Sequence, residues 1–286
     1  MKKLIKKFLL AAMAILIIAL CGGAGWMGYY ADAIRQSRAD KEPWPFYTTS
    51  SKGEHLIAHA GGEIDGHIYT DAKEAYEQSV KKGMKFIEVD LLETTDGDFV
   101  AAHDWELFNT SIGAAERQGA PRSLEEVQAA KIYGKYSTLD ERQIAEFLRE
   151  HPQVIMVTDK SRDVKHIAQA FGEFSDRMIV QVFHLYDYIK ALHYGIKYPT
   201  LRLKGGRHGI PAYYAKLMEF FNVKSVILGE LSFNKNKEFI KQLHDKGVTV
   251  ILYGNPSYRI VDNPEAIKAH AGVYIDLVDT DKLSKL

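Results

Sequence analysis

From Lys52 onward the chain alternates short apolar runs with longer stretches whose apolar positions recur at helical spacing. The apolar runs fall at 56–58, 86–92, 154–157, 178–183, 198–203, 225–228, 248–253 and 273–277. Helical patterns lie between them. Asp71-Ala72-Lys73-Glu74 has the spacing of a capping box and opens a helix that Gly83 closes. Residues 139–150 precede Pro152, 164–174 carry a helical apolar stripe, and 235–246 end at Gly247. Strands alternating with helices in this way predict an α/β fold, a closed parallel (β/α)8 barrel. The run 99–102 does not fit the alternation. It follows Asp96-Gly97, a two-residue hairpin signal, and such a turn joins only antiparallel strands, so this run is an excursion from the second strand.

The N-terminal part follows a different pattern. Lys2, Lys3, Lys6 and Lys7 precede an uncharged, mostly apolar run from Phe8 to Tyr30, long enough to span a bilayer. Basic residues before the run predict an N-terminus in the cytoplasm and the remainder outside the cell membrane. Trp26, Tyr29 and Tyr30 suit the interfacial belt. A cleaved signal peptide is the rival, but no small-residue cleavage site stands out, and Leu20 before Cys21 does not suit a lipoprotein signal. The expected organisation is a basic tail (1–7), a transmembrane signal anchor (8–30), a linker (31–51) broken by Pro43-Trp44-Pro45, and a barrel domain (52–286). Cys21 is the only cysteine, so the outer domain has no disulfide to hold it. The formal charge of the chain is zero, and beyond the lysine tail the balance is mildly acidic. No basic stripe or nucleic-acid motif is present, which argues against nucleic acid as a partner.

Candidate chemistry concentrates at the ends of the first three strands. Glu88 and Asp90 interrupt the apolar run 86–92 two residues apart, so both carboxylates project from one face. A buried strand does not hold carboxylates without cations or donors. A two-residue turn at Asp96-Gly97 pairs Thr95 with Asp98 and sets Asp90 opposite His103. His59 closes the first strand before Ala60-Gly61-Gly62, and Asp159 closes the third with Lys160 next. Barrels of this kind gather their chemistry at the C-terminal ends of strands. Glu88, Asp90 and Asp159 offer only oxygen, which favours one divalent cation, Mg²⁺ or Ca²⁺, over zinc. Two histidines beside them suit acid/base work near neutral pH. Trp105 and Tyr253 are candidates to line a substrate pocket, with Lys160 as a substrate contact. A charge cluster at Arg202, Lys204 and Arg207 is a weaker candidate for an anion contact.

The ordered set Ile57-Ala-His-Ala-Gly-Gly62, Phe86-Ile-Glu-Val-Asp-Leu91 and Asp96-Gly-Asp-Phe-Val-Ala-Ala-His-Asp104 resembles the glycerophosphodiester phosphodiesterase family, a group of PLC-like TIM barrels. The resemblance covers residues 56 to the C-terminus and is most specific over 56–104. It implies His59 and His103 as the catalytic pair, with Glu88 and Asp90 as metal ligands. The family's third ligand is a Glu at the next strand end, and Asp159 is its match here, ahead of Thr158. It further implies hydrolysis of a glycerol- or polyol-phosphodiester in two steps through a cyclic phosphate. Three positions depart from the pattern: Ala60 replaces an Arg, Thr70-Asp71-Ala72 replaces Glu-Asn-Thr, and Ser161 replaces a Lys. Lys160 lies one residue early, on the opposite face of an ideal strand. The expectation is a membrane-tethered phosphodiesterase. The alternative is a tethered module that binds phosphodiesters or scaffolds partners without turnover. A metal-free glycosidase leaves the histidine pair unexplained.

Overall fold

A computed structural model describes residue 25, residues 28–42, 44, 46, 56–204, 210, 213–229 and 235–253, and the backbone of 273–277. Most of the expected membrane span, the cytoplasmic tail, Cys21, Trp26 and Arg207 lie outside the described residues. Among the described residues no helix is long and apolar enough to cross a membrane.

Eight parallel strands close on themselves: β1 (Leu56–Ala58), β2 (Phe86–Glu93), β6 (Ile155–Asp159), β7 (Met178–Val182), β8 (Tyr198–Arg202), β9 (Ser225–Gly229), β10 (Thr249–Tyr253) and β11 (Val273–Leu277). Ile57 pairs with Phe86 on one side and Asp276 on the other, which shuts the ring. Each of the eight expected runs is one of these strands. Helices α2 (Lys73–Lys81), α5 (Glu141–Glu150), α6 (Val164–Phe171), α7 (Leu185–His193), α8 (Tyr213–Phe220) and α9 (Lys237–Asp245) connect them. Helix α5 shows how local sequence sets these boundaries. Asp140 and Gln143 form a reciprocal capping box at its start, and Ile144, Ala145, Phe147 and Leu148 form its buried stripe.

Strand alternation divides each barrel strand between two cores. Ile87, Val89 and Leu91 face out into a large layer shared with the helices, with Val180, Val182, Val250 and Leu252. Ile57, Phe86, Val157, Ile179, Ile227 and Ile251 face in and fill the barrel's lower and middle levels. Above this apolar filling the inward positions turn polar, and the site begins there.

Three features differ from the expectation. Between β3 (Phe99–Ala101) and β6 the chain builds a rim of helices α3 (Trp105–Ser111) and α4 (Leu124–Ala129) and a small hairpin, β4 (Lys131–Ile132) with β5 (Tyr136–Ser137). These strands are two residues long, too short to leave a periodicity in the sequence. The hairpin into β3 is also shifted by one residue. Gly97 at φ +91° makes a three-residue loop, Thr94 pairs with Asp98, and Leu91 then faces Ala101. Asp90 is therefore opposite Ala102, whose amide donates to its carbonyl, and not opposite His103.

The third difference lies in the segment expected as a linker. Residues 31–39 form helix α1 (Ala31–Ala39), which buries Ala33, Ile34 and Ser37 beside α7. Ser37 Oγ donates to the Phe221 carbonyl at 2.7 Å, and Asn222 Nδ2 donates to the Ser37 and Asp40 carbonyls. Its polar average hides a narrow apolar stripe that the barrel covers. Beyond it Trp44 inserts into the inner cluster at the N-terminal end of the barrel, 4% exposed.

Trp44→Ala is expected to cost about 3 kcal/mol of unfolding free energy, as removal of a buried aromatic does. Leu217→Ala, at a surface position, is expected to change it by less than about 0.5 kcal/mol. Urea denaturation followed by circular dichroism checks both.

Candidate active site

The upper inward positions of the strands converge at the barrel mouth. Phe86, Glu88 and Asp90 share the inner face of β2, so the strand that fills the core with Phe86 delivers two carboxylates above it. Asp159 is the last residue of β6 and pairs in register with Asp90. Carboxylate oxygens of Glu88, Asp90 and Asp159 lie within 4.8 Å of one another. His59, Asp90 and His103 form a second such group. All five residues expected for catalysis and metal binding therefore surround one space.

Each histidine is held by a carboxylate. His59 Nδ1 lies 2.9 Å from Glu88 Oε2, which also accepts the Ala60 amide at 3.1 Å. That amide is aimed by a short 3₁₀ turn, His59–Gly61, in which Ala60 takes φ +48°. Gly61 is required there, since a Cβ would stand 2.7 Å from the Tyr76 ring. His103 Nδ1 lies 2.9 Å from Asp104 Oδ2, while Asp104 Oδ1 accepts the Leu107 amide and caps α3. Asp104 thus both orients the imidazole and starts a helix. The His59 and His103 ring centres are 6.0 Å apart, with the Tyr69 ring 5.0 Å from one and 4.7 Å from the other. Although the hairpin register is not the expected one, His103 still reaches Asp90. Strand β3 ends at Ala101, and the bend at His103 releases its side chain from strand alternation.

The carboxylates crowd one another. Glu88, Asp90, Asp71 and Asp159 are all buried. Burial raises Asp90 well above the usual carboxylate range, and the neighbouring Asp71 and Glu88 charges add to it. Burial also drives Asp71 up to about 7, against a 2.6 Å hydrogen bond from the Tyr76 hydroxyl and a 3.3 Å contact from the Asp90 amide. Asp159 is raised by burial and by Glu88. Glu88 goes the other way: burial pushes it up, but His59 and the Ala60 amide outweigh that and hold it low.

Two cations answer this charge. Lys160 lies 3.6 Å from Asp90 Oδ1 and 3.9 Å from Asp159 Oδ2. Strand alternation would turn it to the opposite face, but the strand ends at Asp159 and Lys160 takes φ +68°, which swings its side chain back over the mouth. Arg202, the last residue of β8, lies 3.8 Å from Asp159 Oδ1. Neither cation makes a hydrogen bond to Asp90, whose two carboxylate oxygens are buried without such a partner among the described residues. Asp71 Oδ2 is in the same condition. Buried carboxylate oxygens left in this state fit a divalent cation held by Glu88, Asp90 and Asp159.

Two expected substrate contacts are placed differently. Trp105 opens α3 and packs on Phe108 at 5.6 Å, in a satellite cluster beneath the rim. Tyr253 lies at the mouth with its ring 4.7 Å from the Arg202 guanidinium. Asp71 is a correction. It does not cap α2, whose N-cap is Ala72 without a side-chain bond; at φ +48° its carboxylate turns into the site. Gln181, which donates to Asp159 Oδ1, is a residue the sequence reading missed. It sits as a lone polar residue inside the apolar run 178–183, the same signal that exposed Glu88 and Asp90.

No family model and no curated protein matches the sequence. Solved structures do match the fold. A glycerophosphoryl diester phosphodiesterase from Parabacteroides distasonis superposes with a TM-score of 0.62 at 17% identity, over 90% of each chain. One from Thermotoga maritima gives 0.60 at 18% identity, over 80% of this chain and 95% of that one. A phosphodiesterase from Oleispira antarctica, in complex with the product sn-glycerol-3-phosphate, gives 0.61 at 14%, over 80% and 95%. This chain therefore has the barrel fold of the glycerophosphodiester phosphodiesterases.

His103 is expected to titrate below the roughly 6.5 of a free imidazole, because burial and then the Lys160 charge disfavour its protonated form. Lys160→Met removes one of those causes, so the His103 midpoint should rise in metal-free protein. Asp104→Asn removes the opposing carboxylate and should lower it. Proton NMR titration of the imidazole checks both signs.

Proposed function

We propose that this protein is a phosphoric diester hydrolase acting on a glycerol- or polyol-phosphodiester, with His59 and His103 as the acid/base pair. The observation that carries the reading is the pairing of two carboxylate-oriented imidazoles, 6.0 Å apart, over a three-carboxylate cluster on this fold. The Oleispira protein, bound to sn-glycerol-3-phosphate, supports a glycerol phosphodiester as the substrate class.

Both imidazoles present Nδ1 to a carboxylate, which directs Nε2 to proton transfer. One histidine takes the proton from the substrate hydroxyl next to the phosphate. That oxygen forms a bond to phosphorus, the bond to the leaving alcohol breaks, and the other histidine protonates the departing oxygen. The cyclic phosphate is then opened by water with the two roles exchanged, giving a phosphomonoester. Glu88 and Asp104 fix the rings and stabilise each imidazolium as it forms. A divalent cation held by Glu88, Asp90 and Asp159 supplies charge neutralisation at the phosphate oxygens when bound. Lys160 adds a fixed positive charge over the same space.

The run from Phe8 to Tyr30 supports tethering to a membrane, with the barrel on its outer side. On that reading the substrate is a lipid headgroup diester or another envelope phosphodiester.

Purified protein is expected to hydrolyse glycerophosphodiesters with Mg²⁺ or Ca²⁺, to lose activity in EDTA, and to show a cyclic phosphate by ³¹P NMR at early times. His59→Ala and His103→Ala should each reduce kcat by at least about 10²-fold, the lower end of what a positioned acid or base contributes. Tight phosphodiester binding with no turnover of any diester would establish the binding module instead. Asp90→Asn is expected to weaken metal binding by at least tenfold in calorimetry while leaving the fold intact by circular dichroism.

A further inference from the structure

The wall of the barrel across from His59 carries a guanidinium that the mechanism above does not use. Residue 60, next to the first histidine, is an alanine without charge, and its amide is committed to Glu88. Arg202 ends β8 on the inner face, two residues above Thr200, which is buried in the barrel against Ser225. Its guanidinium carbon lies 4.7 Å from the centre of the Tyr253 ring and 5.6 Å from that of Phe183. Aromatic neighbours of this kind hold a guanidinium by its face and leave its N–H edge for a ligand. Gly229 gives the Tyr253 ring its room, since a Cβ there would stand 3.2 Å from the ring.

Among the described residues the donors of Arg202 are largely uncommitted. Nη1 is 3.8 Å from Asp159 Oδ1, beyond hydrogen-bond reach, and that oxygen already accepts from Gln181. Nε is buried and has no hydrogen-bond partner among the described residues. A desolvated arginine edge without an acceptor, beside a carboxylate cluster suited to a cation, matches the planar two-oxygen face of a phosphate.

We propose that Arg202 grips the substrate's phosphate from strand β8, with Phe183 and Tyr253 as its clamp. The proposal rests on the diesterase reading for its substrate. Lys160 and Arg202 then bracket the phosphate from two walls of the mouth. Arg202 is a specificity residue for the charged phosphate, and its competing role is that of a plain counter-ion to Asp159.

The test uses the full chain in detergent with Mg²⁺, and inorganic phosphate and sn-glycerol-3-phosphate as the probes. Arg202→Met should weaken binding of both by about 10- to 100-fold, the range for one lost hydrogen-bonded charge contact. KM for a glycerophosphodiester should rise by a similar factor, with Mg²⁺ affinity within about twofold of wild type. Arg202→Lys should recover only part of the loss, because a point charge cannot bond two oxygens in one plane. Tyr253→Leu keeps the guanidinium and removes one side of its clamp; a severalfold loss of phosphate affinity supports the proposal. Unchanged phosphate affinity in Arg202→Met, with weakened Mg²⁺ binding or lowered stability, would overturn it and assign the arginine to Asp159. Phosphate binding that depends on Arg202 in a protein that turns over no diester would keep the grip and discard the hydrolase.

Discussion

The mouth of this barrel is built around a repulsion. Asp71, Glu88, Asp90 and Asp159 are held in one low-dielectric space, where adjacent like charges cost far more than at a surface. The surrounding groups answer that charge unevenly. Glu88 is met by an imidazole and an amide, and one of the two Asp71 oxygens by a tyrosine hydroxyl. Among the described residues Asp90 is left with no hydrogen bond to either carboxylate oxygen. A fold does not keep such a group for stability, since apolar replacement of buried charge is commonly neutral or better. The cluster is intelligible as a receptor for positive charge.

What permits this arrangement is the alternation of the barrel strands. Phe86, Val157, Ile179 and Ile251 plug the interior below, and the same faces one or two steps later carry Glu88, Asp90, Asp159, Gln181 and Tyr253. The apolar level excludes water from beneath, and the outer layer shared with the helices fixes each strand's height. Trp44 closes the opposite end, so the site and the entry of the N-terminal segment lie at different ends of the barrel. The carboxylates gain fixed positions from packing that is itself mainly apolar.

Much of this was legible in the sequence because strands of a closed barrel write a strong signal. The eight apolar runs became the eight strands; Glu88 and Asp90 stood out by interrupting one run and Asp159 by closing another. What was not legible depends on single backbone angles. The hairpin slipped by one residue because Gly97 adopted a bulge where a two-residue turn was expected, a choice the dipeptide alone does not settle. Asp71 read as a helix cap because its spacing to Glu74 fits one, yet Glu74 instead accepts from the Ser137 amide and hydroxyl. Helix α1 was hidden because its buried stripe is only Ala33, Ile34 and Ser37 in a charged stretch.

Those backbone angles are not scattered at random. Of the eight non-glycine residues at positive φ among the described residues, Ala60, Tyr69, Asp71 and Lys160 all border the site. A left-handed conformation costs an L-residue of order 1–2 kcal/mol, so four of them amount to a strain comparable with much of a domain's net stability. Each one has a visible effect on the chemistry. Ala60 turns its amide to Glu88, Asp71 turns its carboxylate inward, Tyr69 sets its ring beside both imidazoles, and Lys160 reverses onto the mouth. Strain gathered at one end of an otherwise regular barrel marks the part of the molecule that packing alone would not have built.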